Sequence, residues 1–257
     1  WNWKAGTTGS GTTTGSGTGK AYNYSVNTTA GFSIVKYLGN STAGQTIPHH
    51  LGAVPHTILL KPLDRTDNWR VYHHKLHATD PYDYHLQLQG TNARADSSDI
   101  WNDTTPNSTV FTLGGNAGVS ANDEEFIAYC FTEKKGYSKF GSYTGNGSTD
   151  GSFIYTGFKP AMIILKRTDT TGNWHLHDNK RDVDNGVTFE LRPNTTDGDT
   201  DVFAVTGEHR ADFLSNGIKI KTTGASANAS GGSYIYMAFA EEPLVANVGA
   251  SIPATAR

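Results

Sequence analysis

Apolar and polar residues alternate along most of this chain in short runs of four to eight residues. Such runs occupy residues 57–61, 69–73, 84–88, 110–113 and 126–131, and clusters of Gly, Asn, Asp and Pro separate them. Alternation with a period of two is typical of β-strands, and the intervening clusters are typical of turns. No run keeps apolar residues at helical spacing over three turns. The pattern therefore predicts an all-β chain in which helices are single turns at most.

The same order of motifs occurs twice along the chain. An Asn-Trp pair ends at Trp69 and again at Trp174, at an offset of 105 residues. The aromatic runs that close the copies, residues 125–133 and 233–241, are 108 residues apart, as expected if small insertions lie in the loops. Each copy is long enough to enclose a core of its own. We therefore predict two tandem β-sandwich domains, jelly-roll-like, related by internal duplication.

The repeat also sets the expected domain boundaries. The first sandwich is predicted over residues 31–135 and the second over residues 136–243. Residues 1–30 are predicted to be the end of an upstream repeat plus a Gly/Thr-rich linker, and residues 244–257 a C-terminal tail. Residues 1–4 share the aromatic-x-aromatic form that closes the first copy, so they are expected to end a third, upstream copy and the chain to be part of a longer protein. Residues 6–19 contain only Gly, Thr and Ser, a composition typical of a flexible or extended linker.

Composition and charge narrow the function classes. The net charge of -3 and the pI near 6.4 provide no basic surface for nucleic acid, and no apolar run is long enough to span a membrane. A hydrophobic fraction of 36% suffices for a globular core. The single cysteine, Cys130, forms no intrachain disulfide and is expected to be a small buried residue of a strand.

Aromatic residues are the main candidates for ligand binding. Trp69 and Trp174 hold equivalent positions, and two interpretations stay open: shared packing, or a platform on which sugar rings stack. Trp101, Tyr82 and Tyr84 have no counterpart in the second copy. Because loops carry recognition while a duplicated scaffold carries shape, we predict that Tyr82, Tyr84 and Trp101 contact a ligand.

Histidines raise the question of a metal ion. His73 and His77 on one strand would lie roughly 13 Å apart, at a rise of about 3.3 Å per residue, which is too far to hold one ion. His175 and His177 are two residues apart, so both imidazoles would point to the same side of a strand. Three such pairs around a trimer axis would bind a transition metal, while the alternative is that both are exposed polar residues. No other cofactor is expected.

Acidic residues suggest two further kinds of site, a calcium loop and an enzyme active site. The run Asp197, Asp199 and Asp201 fits either a calcium loop or a solvated acidic turn, although it lacks the Gly and Glu of an EF-hand. No Gly-x-Ser-x-Gly or Gly-x-Gly-x-x-Gly motif is present, and Glu241 is equivalent to Glu133 at a common strand end. We therefore expect that the chain is not an enzyme.

Several motifs together carry a family resemblance. They are Gly-Phe-Ser-x-x-x-Tyr-x-Gly-Asn-x-Thr-Ala-Gly at residues 31–44, Gly-x-x-Pro-x-x-Ile-x-x-Lys at residues 52–61, the Asn-Trp pair, and the aromatic strand that ends in Glu. The chain resembles tandem domains of uncharacterised function in tail and other structural proteins of marine bacteriophages. The resemblance covers residues 31–243 and the opening four residues, and the last six residues resemble the ends of such phage chains.

The resemblance implies a virion component in a fibre or adhesion position, and it supplies no catalytic residues. The leading expectation is a non-enzymatic virion structural protein, the C-terminal part of a bacteriophage tail fibre or related appendage, that contacts host-surface glycans. Its partners would be other virion proteins and copies of itself, as a homotrimer. Three alternatives stay open: a carbohydrate-binding tandem module of a secreted bacterial protein, a capsid-attached decoration protein, and a glycan-cleaving enzyme.

Overall fold

A computed structural model of the chain describes residues 3–182 and 185–241. The fold is all-β, and each described helix is a single turn of four or five residues, as the alternation predicts. The chain divides after Glu133 into two compact units, two residues before the predicted boundary. The predicted tail at residues 244–257 lies outside the described residues. No described helix is long and apolar enough to cross a membrane.

The first unit consists of short strands connected by turns. Its strands are β1 (Thr7–Thr12), β2 (Thr14–Gly15), β3 (Ala21–Asn27), β4 (Phe32–Leu38), β5 (Gln45–Pro48), β6 (Thr57–Pro62), β7 (Arg70–His73), β8 (Tyr84–Gln87), β9 (Ala95–Asp96), β10 (Val110–Leu113) and β11 (Glu125–Phe131). Its helices are α1 (Ser98–Trp101) and α2 (Ala117–Ser120), with a 3-10 turn at Pro81–Asp83.

Two antiparallel sheets enclose the core of the first unit. The large sheet has the order β1-β3-β4-β11-β6-β7-β8-β9, and the small sheet has the order β10-β5-β2. Alternate residues of a strand point to opposite faces, so each strand sends every second side chain inward. Leu60 and Ala128 of the large sheet meet Ile47 and Phe111 of the small sheet in this core. Cys130 is completely buried here, as predicted.

Residues 6–19 are not a flexible linker, contrary to the expectation from composition. Most of this segment forms β1 and β2, and β1 pairs with β3 along its whole length. A Cβ atom at Gly9 would come within 2.7 Å of the Tyr24 ring, and one at Gly11 within 2.8 Å of the Tyr22 ring. The glycines therefore make room for aromatic rings of the next strand, which supply the apolar contact that β1 lacks.

The start of the chain also belongs to the first unit. Trp3 packs edge-on against Phe131, with ring centroids 5.5 Å apart, and lies 6.2 Å from the ring of Phe32. The sheet of the first unit thus includes residues that the repeat placed before its boundary. The assignment of residues 1–4 to the end of an upstream copy stays a prediction.

The second unit also consists of short strands and single-turn helices. Its strands are β12 (Ser138–Thr144), β13 (Phe153–Tyr155), β14 (Pro160–Arg167), β15 (Trp174–Asp178), β16 (Phe189–Glu190), β17 (Thr200–Asp201), β18 (Ala211–Leu214), β19 (Gly217–Ile220) and β20 (Ser233–Ala240). Its helices are α3 (Val202–Thr206) and α4 (Ala225–Asn228). The sheets have the orders β12-β20-β14-β15 and β13-β19-β18, and β16 pairs with β17.

An inner scaffold of strands recurs in both units. The order β4-β11-β6-β7 of the first unit returns as β12-β20-β14-β15, and the pair β5-β10 returns as β13-β19. This is the correspondence that the two copies in the sequence predict. The edges differ, because β2 extends the small sheet beside β5 in the first unit whereas β18 extends it beside β19 in the second.

Candidate functional site

An open groove lies on the face of the first unit's large sheet that points away from the core. It encloses about 330 Å³, which falls in the range of small-ligand sites, roughly 300–1,000 Å³. We call it the aromatic groove. Its lining is almost entirely apolar and consists of Trp3, Phe32, Ile34, Leu59, Trp69, Leu88, Tyr129 and Phe131.

The middle of the groove follows directly from strand pairing. Ile34 of β4 lies opposite Tyr129 of β11, and Tyr129 lies opposite Leu59 of β6. Their sequence neighbours point into the core, so these three side chains share the outer face. An antiparallel sheet that faces water on one side usually carries polar residues there. The apolar row on this face is therefore a feature that the core does not require.

Partly exposed rings stand over a buried floor in the aromatic groove. Trp69 and Tyr129 are half-buried, and their rings are stacked with centroids 6.2 Å apart and planes 26° apart. Phe32 and Phe131 are buried, with ring centroids 4.8 Å apart. The groove thus offers flat aromatic faces that are held from below by packed side chains.

Side-chain amides fix the backbone next to Trp69. The amide of Trp69 donates to Gln89 Oε1 at 2.9 Å, and Gln89 Nε2 donates to Asn68 Oδ1. Asn68 precedes Trp69 in sequence and Gln89 binds its backbone, so two side-chain amides lie next to this lining residue of the groove.

The second unit has the equivalent hydrogen bonds at Trp174, but this tryptophan is buried. The amide of Trp174 donates to Asn194 Oδ1 at 2.8 Å, and Asn194 Nδ2 donates to Asn173 Oδ1 at 2.8 Å. Trp174, however, is only 1% exposed. Of the two interpretations of the Asn-Trp pairs, packing therefore describes Trp174, whereas the half-buried Trp69 keeps a ring face available in the groove.

An exposed ion pair lies on the same outer face. Lys36 Nζ is 2.7 Å from Glu125 Oε1, and both side chains are more than two-fifths exposed. Lys36 follows Ile34 by two residues on β4, so the apolar row gives way to charge along the strand. A ligand that fills the groove would meet ionic groups at this end.

Trp101 is not a surface ligand contact, contrary to the prediction. It is 1% exposed, and its ring is edge-on to Tyr72 at 5.9 Å and to Phe111 at 6.4 Å. The short helix α1 turns Ile100 and Trp101 into the core. The loop argument failed because a single helical turn inside a connection is enough to bury its apolar residues.

Tyr82 and Tyr84 are half-buried, and neighbours occupy much of their surface. The hydroxyl of Tyr82 donates to Asp80 Oδ1 at 3.1 Å, and this hydrogen bond raises the pKa of Tyr82. The ring of Tyr84 stacks on His77 at 4.9 Å, and the guanidinium of Arg94 lies 5.3 Å from its centroid. Neither tyrosine lines the aromatic groove. Their role in ligand binding stays a prediction.

His175 and His177 are buried within the second unit, so their imidazoles cannot reach those of other copies as the predicted metal site between three copies requires. They are 2% and 1% exposed, on the inner face of β15. His175 Nδ1 is 2.9 Å from Glu190 Oε2, while Arg192 donates to Glu190 Oε1 at 2.8 Å and Arg210 Nε lies 3.3 Å from Oε2. Two arginines thus already lie at the carboxylate of Glu190.

Electrostatics explain how this charge cluster is accommodated in the core. Burial alone would raise the pKa of Glu190, but the hydrogen bond with His175 and the charges of His175 and Arg210 hold it well below its ordinary range. Burial lowers the pKa of His177 to about 4, so this imidazole is neutral near pH 7. The cluster is a buried ionic network of the second unit, in which Nε2 of His175 and Nε2 of His177 have no hydrogen-bond partner among the described residues.

The chain matches one known protein family. One family matches residues 1–243, and therefore both units: Domain of unknown function (DUF7483). The chain belongs to this family. No curated protein and no solved structure matches it. The family description assigns no activity, so proposals on function rest on the geometry and on the motifs.

The acidic run of this DUF7483 chain is already engaged by other groups. Arg181 Nε donates to Asp199 Oδ1 at 2.8 Å, and Asp201 Oδ1 accepts the amide of Ala204 at the start of α3. Asp197 lies 3.6 Å from Arg192. Because the three carboxylates point to different partners, the acidic-turn interpretation is favoured over a calcium loop.

The DUF7483 chain holds one further cluster that spacing along the sequence did not reveal. His56, His74 and Glu133 each offer a ligand atom within 4.8 Å of the other two. They lie next to the ends of three different strands, so only strand pairing brings them together. The signal available in the sequence was the crowding of histidines in the first copy.

Proposed function

We propose that this chain is a non-enzymatic virion structural protein, the C-terminal part of a bacteriophage tail fibre or related appendage, whose aromatic groove binds a host-surface glycan. The glycan part of the proposal is carried by one observation, the open groove with Trp69 stacked beside Tyr129. The virion part is supported by the resemblance of the motifs to phage structural proteins. Its partners would be other virion proteins and copies of itself.

The chemistry of sugar binding fits this groove. A pyranose ring presents C–H groups on its faces and hydroxyls around its edge, so it stacks on an aromatic ring while amides and carboxylates bind the hydroxyls. The rings of Trp69 and Tyr129 would hold the sugar face. Asn68 and Gln89 stand next to Trp69 and would take hydroxyls. The groove lies on paired strands, so little order has to be gained on binding.

The proposal assigns the sugar site to the first unit. The second unit carries Trp174, Met237 and Phe239 at the positions of Trp69, Tyr129 and Phe131, and all three are buried. One shallow site binds a sugar weakly. Several copies of the chain on one particle would raise the overall affinity without any new contact, since later binding events become intramolecular.

The decisive experiment removes the tryptophan of the groove. Wild-type chain and Trp69→Ala are tested for binding to a panel of purified bacterial capsular polysaccharides and lipopolysaccharide O-antigens. We expect binding of at least one glycan, reduced about tenfold or more by Trp69→Ala and less by Trp69→Phe, which keeps a ring. Tyr155→Ala is the matched control, because Tyr155 is 64% exposed and lies in the second unit.

Equal glycan binding by wild type and Trp69→Ala, with both folded by circular dichroism, would contradict the groove as the site. Mass spectrometry of purified particles tests the virion part separately. Presence of the chain in virions supports a structural protein. Secretion from bacterial cells without particles, together with retained glycan binding, would instead favour a carbohydrate-binding module.

A further inference from the structure

We propose that His56, His74 and Glu133 form a binding site for a divalent transition metal ion of the zinc class in the first unit. One ligand atom of each residue lies within 4.8 Å of the others, and all three side chains are half-buried. Ligand atoms around zinc at about 2.0–2.1 Å stand roughly 3.3 Å apart. Small side-chain rotations would therefore complete the site.

Strand pairing fixes the positions of the three residues. His56 directly precedes β6, His74 directly follows β7, and Glu133 follows β11 by two residues, while the sheet order places β6 between β11 and β7. The amide of His74 donates to the carbonyl of His56 at 2.9 Å, and the amide of His56 donates to the carbonyl of Phe131 at 2.7 Å. Backbone hydrogen bonds thus continue past the strand ends and fix the backbone positions of the site.

The two imidazoles are close enough to share an ion. Their ring centroids are 4.5 Å apart and the planes are 81° apart. Directly opposed residues of neighbouring strands bring their side chains together in this way. Half-buried rings are open to an ion from solvent and are also partly shielded from water.

A neighbouring hydroxyl supplies the outer hydrogen bond that metal-bound histidines usually make. Thr132 Oγ1 lies 3.2 Å from His56 Nδ1, and the amide of Glu133 lies 3.2 Å from the same nitrogen. With an ion on Nε2, Nδ1 carries the ring proton and its N–H donates a hydrogen bond to Thr132 Oγ1. The amide of Glu133 must then give up its contact with the ring, so binding involves a small local adjustment at the residue that carries the carboxylate.

The second unit provides an internal comparison. Ala161, Asn179 and Glu241 hold the equivalent positions, and the amide of Asn179 donates to the carbonyl of Ala161 at 2.9 Å, which is the same backbone contact. There, Asn179 Nδ2 donates to Glu241 Oε2 at 3.3 Å, and Lys180 pairs with the same carboxylate. The carboxylate is common to both units, whereas the imidazoles occur only in the first.

The donor set selects the class of ion. Two imidazole nitrogens and one carboxylate oxygen suit zinc and its neighbours, whereas calcium and magnesium prefer oxygen ligands throughout. Three protein ligands leave a fourth position for water or for a group from another molecule. A bound ion would join the ends of three neighbouring strands, and its binding free energy would add to the stability of the first unit.

The test uses the full chain after treatment with EDTA. Zinc binding is measured by isothermal titration calorimetry, and Co²⁺ binding by its visible absorption. We expect one ion per chain. His74→Asn, which introduces the residue of the second unit, and Glu133→Gln should each weaken zinc binding at least about tenfold, since even outer-sphere losses cost about that much. Glu241→Gln and His209→Ala are controls that should leave binding unchanged.

Circular dichroism of each variant separates the loss of a metal ligand from misfolding. The proposal is overturned if the native chain takes up neither Zn²⁺ nor Co²⁺. It is also overturned if the folded double variant His56→Ala with His74→Asn binds zinc as the native chain does.

Discussion

Three buried histidines are neutral near pH 7: His49, His85 and His177. Burial lowers the pKa of each imidazole to about 4. His49 shows the geometry most clearly, because its Nε2 lies 3.0 Å from the carbonyl of Asn107 while its Nδ1 accepts the amide of Leu51. The lone pair of Nδ1 is taken by the amide of Leu51, so adding a second proton to the ring requires this contact to break.

Stability should therefore fall in mild acid. The pKa of these histidines is about 4 in the folded chain and about 6.5 in the unfolded chain, so the unfolded chain binds more protons between these values. The stabilisation is fully present above about pH 6.5 and is lost as the pH falls toward 4. Each histidine should lower the free energy of unfolding by up to about 3 kcal/mol once the pH has fallen below about 4.

Urea unfolding at about pH 7.5, 6 and 5 checks this pH dependence. His49→Gln should flatten the profile, whereas His209→Gln, at an exposed position, should not. A free energy of unfolding that is constant from about pH 7.5 to 5 would contradict the role of the buried imidazoles.

Trp101 allows a second test at the scale of one residue. Trp101→Ala should lower the free energy of unfolding by about 3–5 kcal/mol, because it leaves a cavity in the core. Trp101→Phe should cost much less, since it keeps a ring and removes an indole N–H that has no hydrogen-bond partner among the described residues. Equal urea midpoints for wild type and Trp101→Ala would place this side chain outside the core.

At the scale of elements, β1 is held to β3 by contacts that glycine permits. Gly11→Ala should destabilise the first unit by about 1–3 kcal/mol, because the added methyl group displaces the buried ring of Tyr22 and its hydroxyl contact with His50. Hydrogen exchange at the amides of β3 should become faster. Gly198→Ala is the control, since a Cβ there meets nothing within 4 Å. Unchanged exchange in Gly11→Ala would mean that Tyr22 accommodates the methyl group freely.

The sequence predicted those elements whose own residues carry the signal. The alternating runs at residues 57–61 and 126–131 are strands of the inner scaffold, because half of their side chains form the core. Residues 7–12 were missed, since the apolar contacts of β1 come from Tyr22 and Tyr24 of another strand. The pattern of apolar and polar residues along a chain does not show which strands are neighbours. The contacts of β1 with Tyr22 and Tyr24 depend on its pairing with β3.

The candidate sites were unpredictable for the same reason. The Asn-Trp motif allows a sugar platform at Trp69, but the groove around this residue depends on Tyr129 and Trp3, which lie far away in sequence. The His56 and His74 cluster likewise requires the pairing of β6 with β7. The prediction that Trp101 contacts a ligand was wrong for a local reason, because the helical turn α1 points this side chain into the core.

At the scale of the whole molecule, we expect the chain to form a homotrimer. A fibre gains stiffness from symmetric association, and three aromatic grooves on one assembly would bind a surface glycan with higher overall affinity than one. Light scattering at micromolar concentration should give a mass about three times the 27.7 kDa of the chain. A monomer under these conditions would count against the fibre interpretation, and it would leave the groove and the metal site to be tested on their own.

The position of Cys130 determines how the molecule behaves toward oxidants. Its thiol is the only one in the chain and is completely buried, and burial raises its pKa well above the ordinary value. Thiolates, rather than thiols, attack disulfides, alkylating reagents and peroxides. Folded copies in air should therefore neither crosslink through sulfur nor accumulate oxidised thiols. A cysteine introduced at the surface would be the single reactive position, so a fluorophore or an electron-dense label can be attached there without first removing the native residue.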